Sequence, residues 1–514
     1  MEKSPDSAPA LGAEGPRKAS LIAHRRERTA VRNITLLLLL RGLIVAGGVS
    51  AAALVPRTMG PATYGRYDLI TMLTFWFSML GSLGMSQITS RQAPQLEAEG
   101  ALGKLQALFG NLLALRAVSS AVVAILYLLT TRLWLRDLDG VVLLVLSLAV
   151  LLRGPGALCF SLFLGQGRIG RWALPEVVRQ WGSVAFALPC FLVAGLRGAV
   201  VGYLMSETVI FTIGILGARR SLSRHDVRLG IGAVAPLLQM GLLFYASDLV
   251  LSAIDRSGAV LVRIVTSDYA QVGMFGVSYQ VFMAALLSTH QLSNSFVPLL
   301  TILRTQRETA EMQAWVGRLV KWLTLVAVLG LLGSLILGRD VVPLVLGRAY
   351  VAAYRNLVVL SAALLLVPLV QTCSVLALTH DRPGMLIKAA LLRFVCFWGL
   401  GIPLVVRWGS LGACVSVGLA MAGQAGYLLL QNGAVVGPAL RRWAMVVGAG
   451  LAFAPVACLR AGMAANVVLY LVAATSYLLV LRALGAISTH ELRVVYRALR
   501  VRQSEPVEIP EARP

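Results

Sequence analysis

Long apolar runs that recur to within about 30 residues of the C-terminus limit this chain to one class of fold. A helix crosses a bilayer with about 20 mostly apolar residues. Runs of that length lie near 34–55, 67–86, 105–129, 141–163, 174–195, 199–217, 232–254, 272–297, 318–337, 357–378, 386–406, 410–430, 443–460 and 464–484. Hydrophobic residues make up 58% of the 514 and charged residues 13%, half of the ~25% in soluble domains. The sequence therefore predicts an all-α polytopic membrane protein of about 14 transmembrane helices, and it excludes soluble enzymes and nucleic-acid-binding proteins.

The positive charges predict the orientation of these helices. The net charge is +23. With the N-terminus in the cytoplasm, the predicted cytoplasmic segments carry more than twice as many Lys and Arg residues as the opposite ones, as the positive-inside rule requires. Residues 1–32 form a basic tail, and the apolar run after it has no small-residue cleavage site, so no cleaved signal peptide is expected. Both termini are predicted to be cytoplasmic, with a second tail at 485–514.

A short motif occurs twice and suggests an internal repeat. Ala62-x-x-Gly65-x-Tyr67 follows the first apolar run, and Ala270-x-x-Gly273-x-Phe275 follows the seventh. Secondary transporters are commonly built from structural repeats, with the substrate site between them. We expect an N-lobe at 33–218 (spans 1–6), a pseudo-symmetric C-lobe at 230–430 (spans 7–12), and an appended helix pair at 443–484.

The segment joining the first two spans resembles the first-loop signature of bacterial polysaccharide flippases, the Wzx-type exporters of the multidrug/oligosaccharidyl-lipid/polysaccharide superfamily. The residues that carry this resemblance are Pro56, Arg57, Gly60, Pro61, Tyr64, Gly65 and Tyr67. Leu346-Gly347-Arg348-Ala349-Tyr350 and the pair Asp255-Arg256 are also similar to that family. The resemblance implies an alternating-access flippase that moves undecaprenyl-diphosphate-linked oligosaccharide across the bacterial inner membrane. It also implies pathway partners, namely glycosyltransferases and a polysaccharide polymerase.

Four of the arginines inside predicted spans are candidates for a function, because an ionisable residue is costly there. They are Arg41, Arg116, Arg153 and Arg393. Guanidinium groups suit a diphosphate because they stay charged and donate several hydrogen bonds in a planar fork, so all four are candidate substrate-binding residues. The alternatives are snorkelling to the interface for Arg41 and structural salt bridges for Arg116 and Arg153. The family resemblance places a cavity-lining arginine in the first helix, where Arg41 lies.

Acidic and polar residues in the spans add further candidates. Glu207 and Asp248 are candidates for proton or cation coupling, or they neutralise a deep arginine. Glu176 and Arg179 are one helical turn apart and predict an internal pair. In the eighth span, His290 and Asn294 are candidates for hydrogen bonds to sugar hydroxyls, although polar contacts between helices explain such residues equally well.

Several functions are excluded or remain as alternatives. The six cysteines have neither zinc-site nor disulfide spacing, so no metal and no cofactor is expected. The sequence has no P-loop, HExxH or Gly-x-Ser-x-Gly motif, and the chain is expected to act as a monomer without ATP. A multidrug antiporter of the same superfamily is the first alternative, but its cavity would favour acidic residues. A membrane-embedded glycosyltransferase or polymerase is the second, but no loop here has room for catalytic groups.

Overall fold

Helices make up almost all of the part of the chain that can be described. The computed structural model describes residues 14–219, 257–380, 382–459 and 462–486, together with residues 241, 242, 245, 249 and 252. Within these ranges there is no β-strand. The predicted all-α membrane fold is therefore confirmed.

Six helices lie within residues 14–219. They are α1 Glu14–Leu80, α2 Met85–Ala98, α3 Leu102–Trp134, α4 Gly140–Gly165, α5 Ile169–Gly182 and α6 Leu188–Ala218, with a π-helical turn Ser183–Ala187 between the last two. The helix α1 is interrupted at Gly60 (φ 74°, ψ 164°), a backbone conformation that a residue with a Cβ rarely adopts. The helix α6 is interrupted at Ala194 and Gly195.

Ten further helices lie between Gly258 and Ala483. They are α7 Gly258–Thr266, α8 Tyr269–Asn294, α9 Val297–Thr305, α10 Thr309–Ile336, α11 Gly338–Leu346, α12 Ala353–Ala363, α13 Val367–Thr379, α14 Pro383–Trp408, α15 Ser410–Leu451 and α16 Met463–Ala483. Short 3₁₀ segments lie at Arg348–Tyr350, Leu364–Leu366 and Ala454–Cys458.

The apolar runs of the sequence coincide with these helices. Within the described residues, 11 helical stretches are long and apolar enough to cross a membrane. Two of them, Leu39–Leu80 and Ile169–Ala218, each cover two predicted spans. Most of the predicted seventh span, 232–254, lies outside the described residues. The chain is a multi-pass membrane protein, and about 14 crossings stays the predicted number.

The chain divides into two compact units. The first unit comprises Met1–Met59 and Leu69–Leu249, and the second comprises Gly60–Asp68 and Val250–Pro514. Side chains from α2, α3, α4 and α6 form a core in the first unit, including Phe109, Leu158 and Phe163. In the second unit, α10, α13 and α15 contribute to a core that includes Val320 and Leu376. The predicted lobes at 33–218 and 230–430 and the appended pair at 443–484 remain predictions.

Each unit contains a helical hairpin with the same tight turn. Gly195 has φ 58° and ψ −140°, and Gly409 has φ 57° and ψ −133°. Three residues after each turn stands another glycine, Gly198 or Gly412. A Cβ on either would collide with the carbonyl oxygen five residues before the turn, on Cys190 or Leu404. The antiparallel helices can therefore approach closely only because these positions carry no side chain.

Candidate functional site

A buried ionic network in the first unit joins three charged residues that lie far apart in the sequence. Glu207, on α6, is fully buried, and its Oε1 accepts hydrogen bonds from Arg153 Nη1 and Arg179 Nε, both at 3.1 Å. Arg153 Nη1 also donates to the hydroxyl of Tyr203 at 2.7 Å. The Arg153 guanidinium lies 5.3 Å from the ring centre of Phe75. One carboxylate oxygen therefore binds guanidinium groups from two other helices, α4 and α5.

The network extends from the interior to the surface of this unit. The side chains of Glu207, Arg153, Arg179 and Glu176 are 0%, 13%, 25% and 47% exposed. Glu176 Oε2 lies 3.6 Å from Arg179 Nη1, and its Oε1 accepts a hydrogen bond from Gln180 at 2.8 Å. Buried charges require partners, and here the partner of two cations is one carboxylate. The predicted pair of Glu176 and Arg179 is therefore part of a larger network.

Two glycines and a π-helical turn bring Arg179 to Glu207. A Cβ on Gly202 of α6 would lie 2.5 Å from backbone atoms of Phe186 and Ala187 in the π-helical turn. A Cβ on Gly182, at the end of α5, would collide with Ser206 Oγ. The backbones of α6 and the π-helical turn consequently pack in direct contact next to the network. Single π-helical turns are frequent at functional sites.

Arg116 is a second buried cation in the first unit. Its side chain is 3% exposed, and Nη2 donates to the carbonyl oxygen of Ser78 at 2.8 Å. Its Nε and Nη1 have no hydrogen-bond partner among the described residues. A Cβ on Gly154, which follows Arg153, would lie 3.0 Å from Arg116 Nε. Arg116 therefore lies beside the backbone of the residue after Arg153, with donor groups available.

The other two candidate arginines lie elsewhere. Arg41 is exposed on α1, two residues before Leu43, whose carbonyl oxygen accepts a hydrogen bond from Trp181 at 3.1 Å in the first unit. Arg393, in the second unit, lines a small cleft with Tyr279 and Phe397.

His290 and Asn294 form a hydrogen-bonded group in the second unit. His290 Nδ1 lies 2.9 Å from Gln371 Oε1, and Nε2 lies 2.9 Å from Asn294 Nδ2. With these amide orientations, the imidazole donates to Gln371 and accepts from Asn294. Asn294 and Gln371 lie on different helices, α8 and α13. Their role in binding sugar hydroxyls stays a prediction.

The signature residues from Gly60 to Tyr67 pack within the second unit against the repeated motif. A Cβ on Gly65 would collide with the carbonyl oxygen of Tyr269 and would lie 2.7 Å from the backbone nitrogen of Gly273. A Cβ on Gly273 would collide in turn with the carbonyl oxygen of Pro61. The two glycines of the repeat therefore form a close helix crossing, in which neither position has room for a side chain.

A polar cluster surrounds this crossing. The Tyr64 hydroxyl accepts a hydrogen bond from Gln280 at 2.8 Å, and Tyr64 interacts electrostatically with Asp68 and Tyr350. Tyr350 ends the Leu-Gly-x-x-Tyr motif, so two family motifs of the sequence are neighbours in the structure. Tyr67 is buried in the same unit. Pro56, which is buried, and Arg57, which is exposed, belong to the first unit.

Two further predictions concern metal and ion coupling. Asp248 lies outside the described residues, so its proposed coupling role stays a prediction. In the described ranges, no group of three or more His, Cys, Asp or Glu residues is arranged to hold a metal ion. Glu207, the other coupling candidate, has two arginine partners, as described above.

Sequence reasoning missed Tyr203, Gln371 and the contact between Arg179 and Glu207. Tyr203 is four residues before Glu207, and this helical spacing places both on one face of α6, which is a signal that the sequence contains. Gln371 is a polar residue in an otherwise apolar span and therefore a candidate for an interhelical hydrogen bond. The contact between Arg179 and Glu207 depends on how the α5–α6 hairpin is aligned, which no sequence pattern indicates.

Comparisons with known proteins agree with this architecture. Residues 30–302, more than half of the chain, match the family described as polysaccharide biosynthesis protein. The fold is similar to that of the lipid II flippase MurJ in an inward closed conformation, with a TM-score of 0.71 and 12% identity, covering 88% of this chain and 99% of that one. An inward-facing multidrug resistance MATE family transporter has a TM-score of 0.62 and 13% identity, covering 80% of this chain and 99% of that one.

A MOP superfamily transporter from Pyrococcus furiosus has a TM-score of 0.53 and 16% identity, covering 79% of this chain and 95% of that one. No curated protein matches the chain significantly. These relatives in family and fold are transporters and flippases rather than enzymes. The chain is a member of the polysaccharide biosynthesis protein family, with the fold of the multidrug/oligosaccharidyl-lipid/polysaccharide superfamily.

Proposed function

We propose that this protein is a flippase that moves an undecaprenyl-diphosphate-linked oligosaccharide across the bacterial inner membrane by alternating access. Both termini face the cytoplasm in this proposal, and the substrate comes from glycosyltransferases and goes to a polysaccharide polymerase. The family to which the chain belongs supports a role in polysaccharide biosynthesis. The resemblance in fold to a lipid II flippase supports a lipid-linked substrate.

The observation that carries the proposal is an excess of positive charge, buried or partly buried, in the first unit. Arg116, Arg153 and Arg179 contribute three guanidinium groups, and among the described residues two carboxylates pair with them, the buried Glu207 and the half-exposed Glu176. A charged side chain near the bilayer centre costs at least ~2.5–3.5 kcal/mol, so an uncompensated cation needs a functional reason. A diphosphate supplies the missing negative charge and many acceptor oxygens.

The same charge balance argues against a cationic drug as the substrate. A cavity that binds organic cations needs carboxylates or aromatic faces, and here cations outnumber carboxylates. The fold alone does not separate the two functions, because a multidrug transporter also shares it. The substrate test must therefore compare both classes directly.

The test uses purified protein in liposomes and three substrates. These are a prenyl-diphosphate-linked oligosaccharide, the same sugar on a prenyl monophosphate, and a fluorescent organic cation. We expect the diphosphate-linked sugar to cross at least tenfold faster than in protein-free liposomes and the other two to cross at background rates. Access of the sugar to an external lectin measures the transfer of the two lipid-linked sugars, and the fluorescence retained by the liposomes measures the transfer of the cation.

Each contrary outcome has a distinct meaning. Movement of the cation alone would replace this proposal with the multidrug function. If the monophosphate and diphosphate substrates cross at equal rates, the protein does not recognise the diphosphate. Background rates for the diphosphate-linked sugar would reject the flippase proposal.

A further inference from the structure

We infer that Glu207 is an internal competitor for the substrate's diphosphate: it occupies the guanidinium groups of Arg153 and Arg179 when substrate is absent and weakens their hold on the substrate when it is present. This inference rests on the proposed function and adds a means of release to it. It follows from the geometry of one carboxylate.

The first step is the way in which Glu207 binds its two partners. Arginine and a carboxylate usually prefer a two-pronged contact, in which two parallel N–H groups reach both oxygens. Glu207 instead uses Oε1 alone for Arg153 and Arg179, at 3.1 Å to each. Its Oε2 is buried and has no hydrogen-bond partner in the described part of the chain. The carboxylate therefore binds both guanidinium groups through only one of its two oxygens.

The second step is what a better acceptor would gain. Each arginine uses one nitrogen toward Glu207, Nη1 of Arg153 and Nε of Arg179. A diphosphate has more oxygens and more negative charge than a carboxylate, and it can engage two guanidinium forks at once. The side chains of Arg153 and Arg179 are 13% and 25% exposed, whereas that of Glu207 is 0% exposed. The arginines are therefore the accessible side of the network. A ligand consequently meets the two cations before it meets the acid.

The third step is the effect of Glu207 after the exchange. Its position on α6 is fixed by the contact of Gly202 with the π-helical turn, so the displaced carboxylate stays next to the bound diphosphate. Like charges at short distance repel strongly in a buried environment. A transport site must bind its substrate weakly enough to release it, and Glu207 limits the affinity in this way.

The test is the affinity of detergent-purified full-length protein for farnesyl diphosphate, measured by titration calorimetry. We expect Glu207→Gln, which keeps the shape and removes the charge, to bind the probe at least tenfold more tightly than the wild type. Its rate of transfer of the prenyl-diphosphate-linked oligosaccharide in liposomes should fall at saturating substrate, because release becomes slow. Glu99→Gln is the control, since Glu99 is an exposed acid at the end of α2 and lies outside the network, and the affinity of this variant should change less than threefold.

A second pair of variants covers the case in which Glu207→Gln does not fold. Removing one partner of a buried ion pair leaves uncompensated charge, and Arg179→Met removes one of the two cations. Arg179→Met/Glu207→Gln should then bind the probe more tightly than Arg179→Met alone. If the wild type moves the lipid-linked sugar but neutralising Glu207 leaves binding of the probe unchanged or weaker, this inference is wrong and the flippase proposal stands. A wild type that neither binds the probe nor moves the sugar rejects both.

Discussion

The contacts of Arg153 suit a guanidinium group and no other cationic side chain. It donates to Tyr203 and Glu207 through one nitrogen and lies over the ring of Phe75. A planar guanidinium can make these contacts together, whereas an ammonium group is a compact point charge without a flat face. The identity of the side chain at this position matters as much as its charge.

We expect Arg153→Lys and Arg153→Ala both to lose at least tenfold in transport. Lysine keeps the charge but loses the fork that a diphosphate engages. The measurement is surface glycan display, alongside the amount of protein in the membrane, in a strain that lacks the native gene. Arg136→Lys is the control, because Arg136 is exposed just after the end of α3 and donates to the carbonyl oxygen of Leu133. Full display from Arg153→Lys would reduce Arg153 to a structural partner of Glu207.

At the residue scale, the sequence located the charged residues inside the spans and predicted the pair of Glu176 and Arg179, but not the partners of Glu207. Arg116, Arg153 and Glu207 stand out because each is charged within an apolar run. The sharing of Glu207 by Arg153 and Arg179 could not be predicted, since it depends on how three consecutive helices pack and joins residues that lie 26 or more positions apart in the chain. Asn294 and His290 are four residues apart on one helix, so their contact was within reach of a helical pattern.

At the scale of helices, glycines determine how closely the backbones pack. The hairpin of α5 and α6 has Gly182, Gly198 and Gly202 at positions where a Cβ would meet neighbouring atoms. The first-loop segment is continuous helix apart from Gly60, although its two prolines are typical of a loop. Apolar runs predicted the helices, but breaks of one or two residues leave no trace in a 20-residue pattern.

We expect Gly202→Ala to destabilise the protein and to reduce transport. The added methyl group would lie 2.5 Å from backbone atoms of Phe186 and Ala187, and overpacking of this kind costs about 1–3 kcal/mol. The π-helical turn and α6 must separate, which moves Arg179, on the adjoining α5, away from Glu207. The melting temperature in detergent and the transfer rate in liposomes should both fall. Gly42→Ala is the control, because a Cβ there meets nothing within 4 Å; equal effects of the two substitutions would contradict this account.

At the scale of the whole molecule, the prediction concerns topology. We expect 14 crossings, with both termini in the cytoplasm, from the uneven distribution of basic residues. Reporter fusions after Gln503 should report cytoplasm, and fusions within residues 131–140 should report periplasm. A periplasmic signal after Gln503 would mean an odd number of crossings, and the two-lobe prediction would then be wrong.

The crossing of Gly65 and Gly273 also has a consequence for how the chain is synthesised. Residues 60–68 complete the second unit, yet they leave the ribosome about 200 residues before the helix against which they pack. At 5–20 residues per second, this is roughly 10–40 s of synthesis. During that time the nascent protein contains this polar part of α1, which is interrupted at Gly60, without the helix α8 against which it packs. Membrane insertases and quality-control proteases would therefore encounter an incompletely folded protein at this segment.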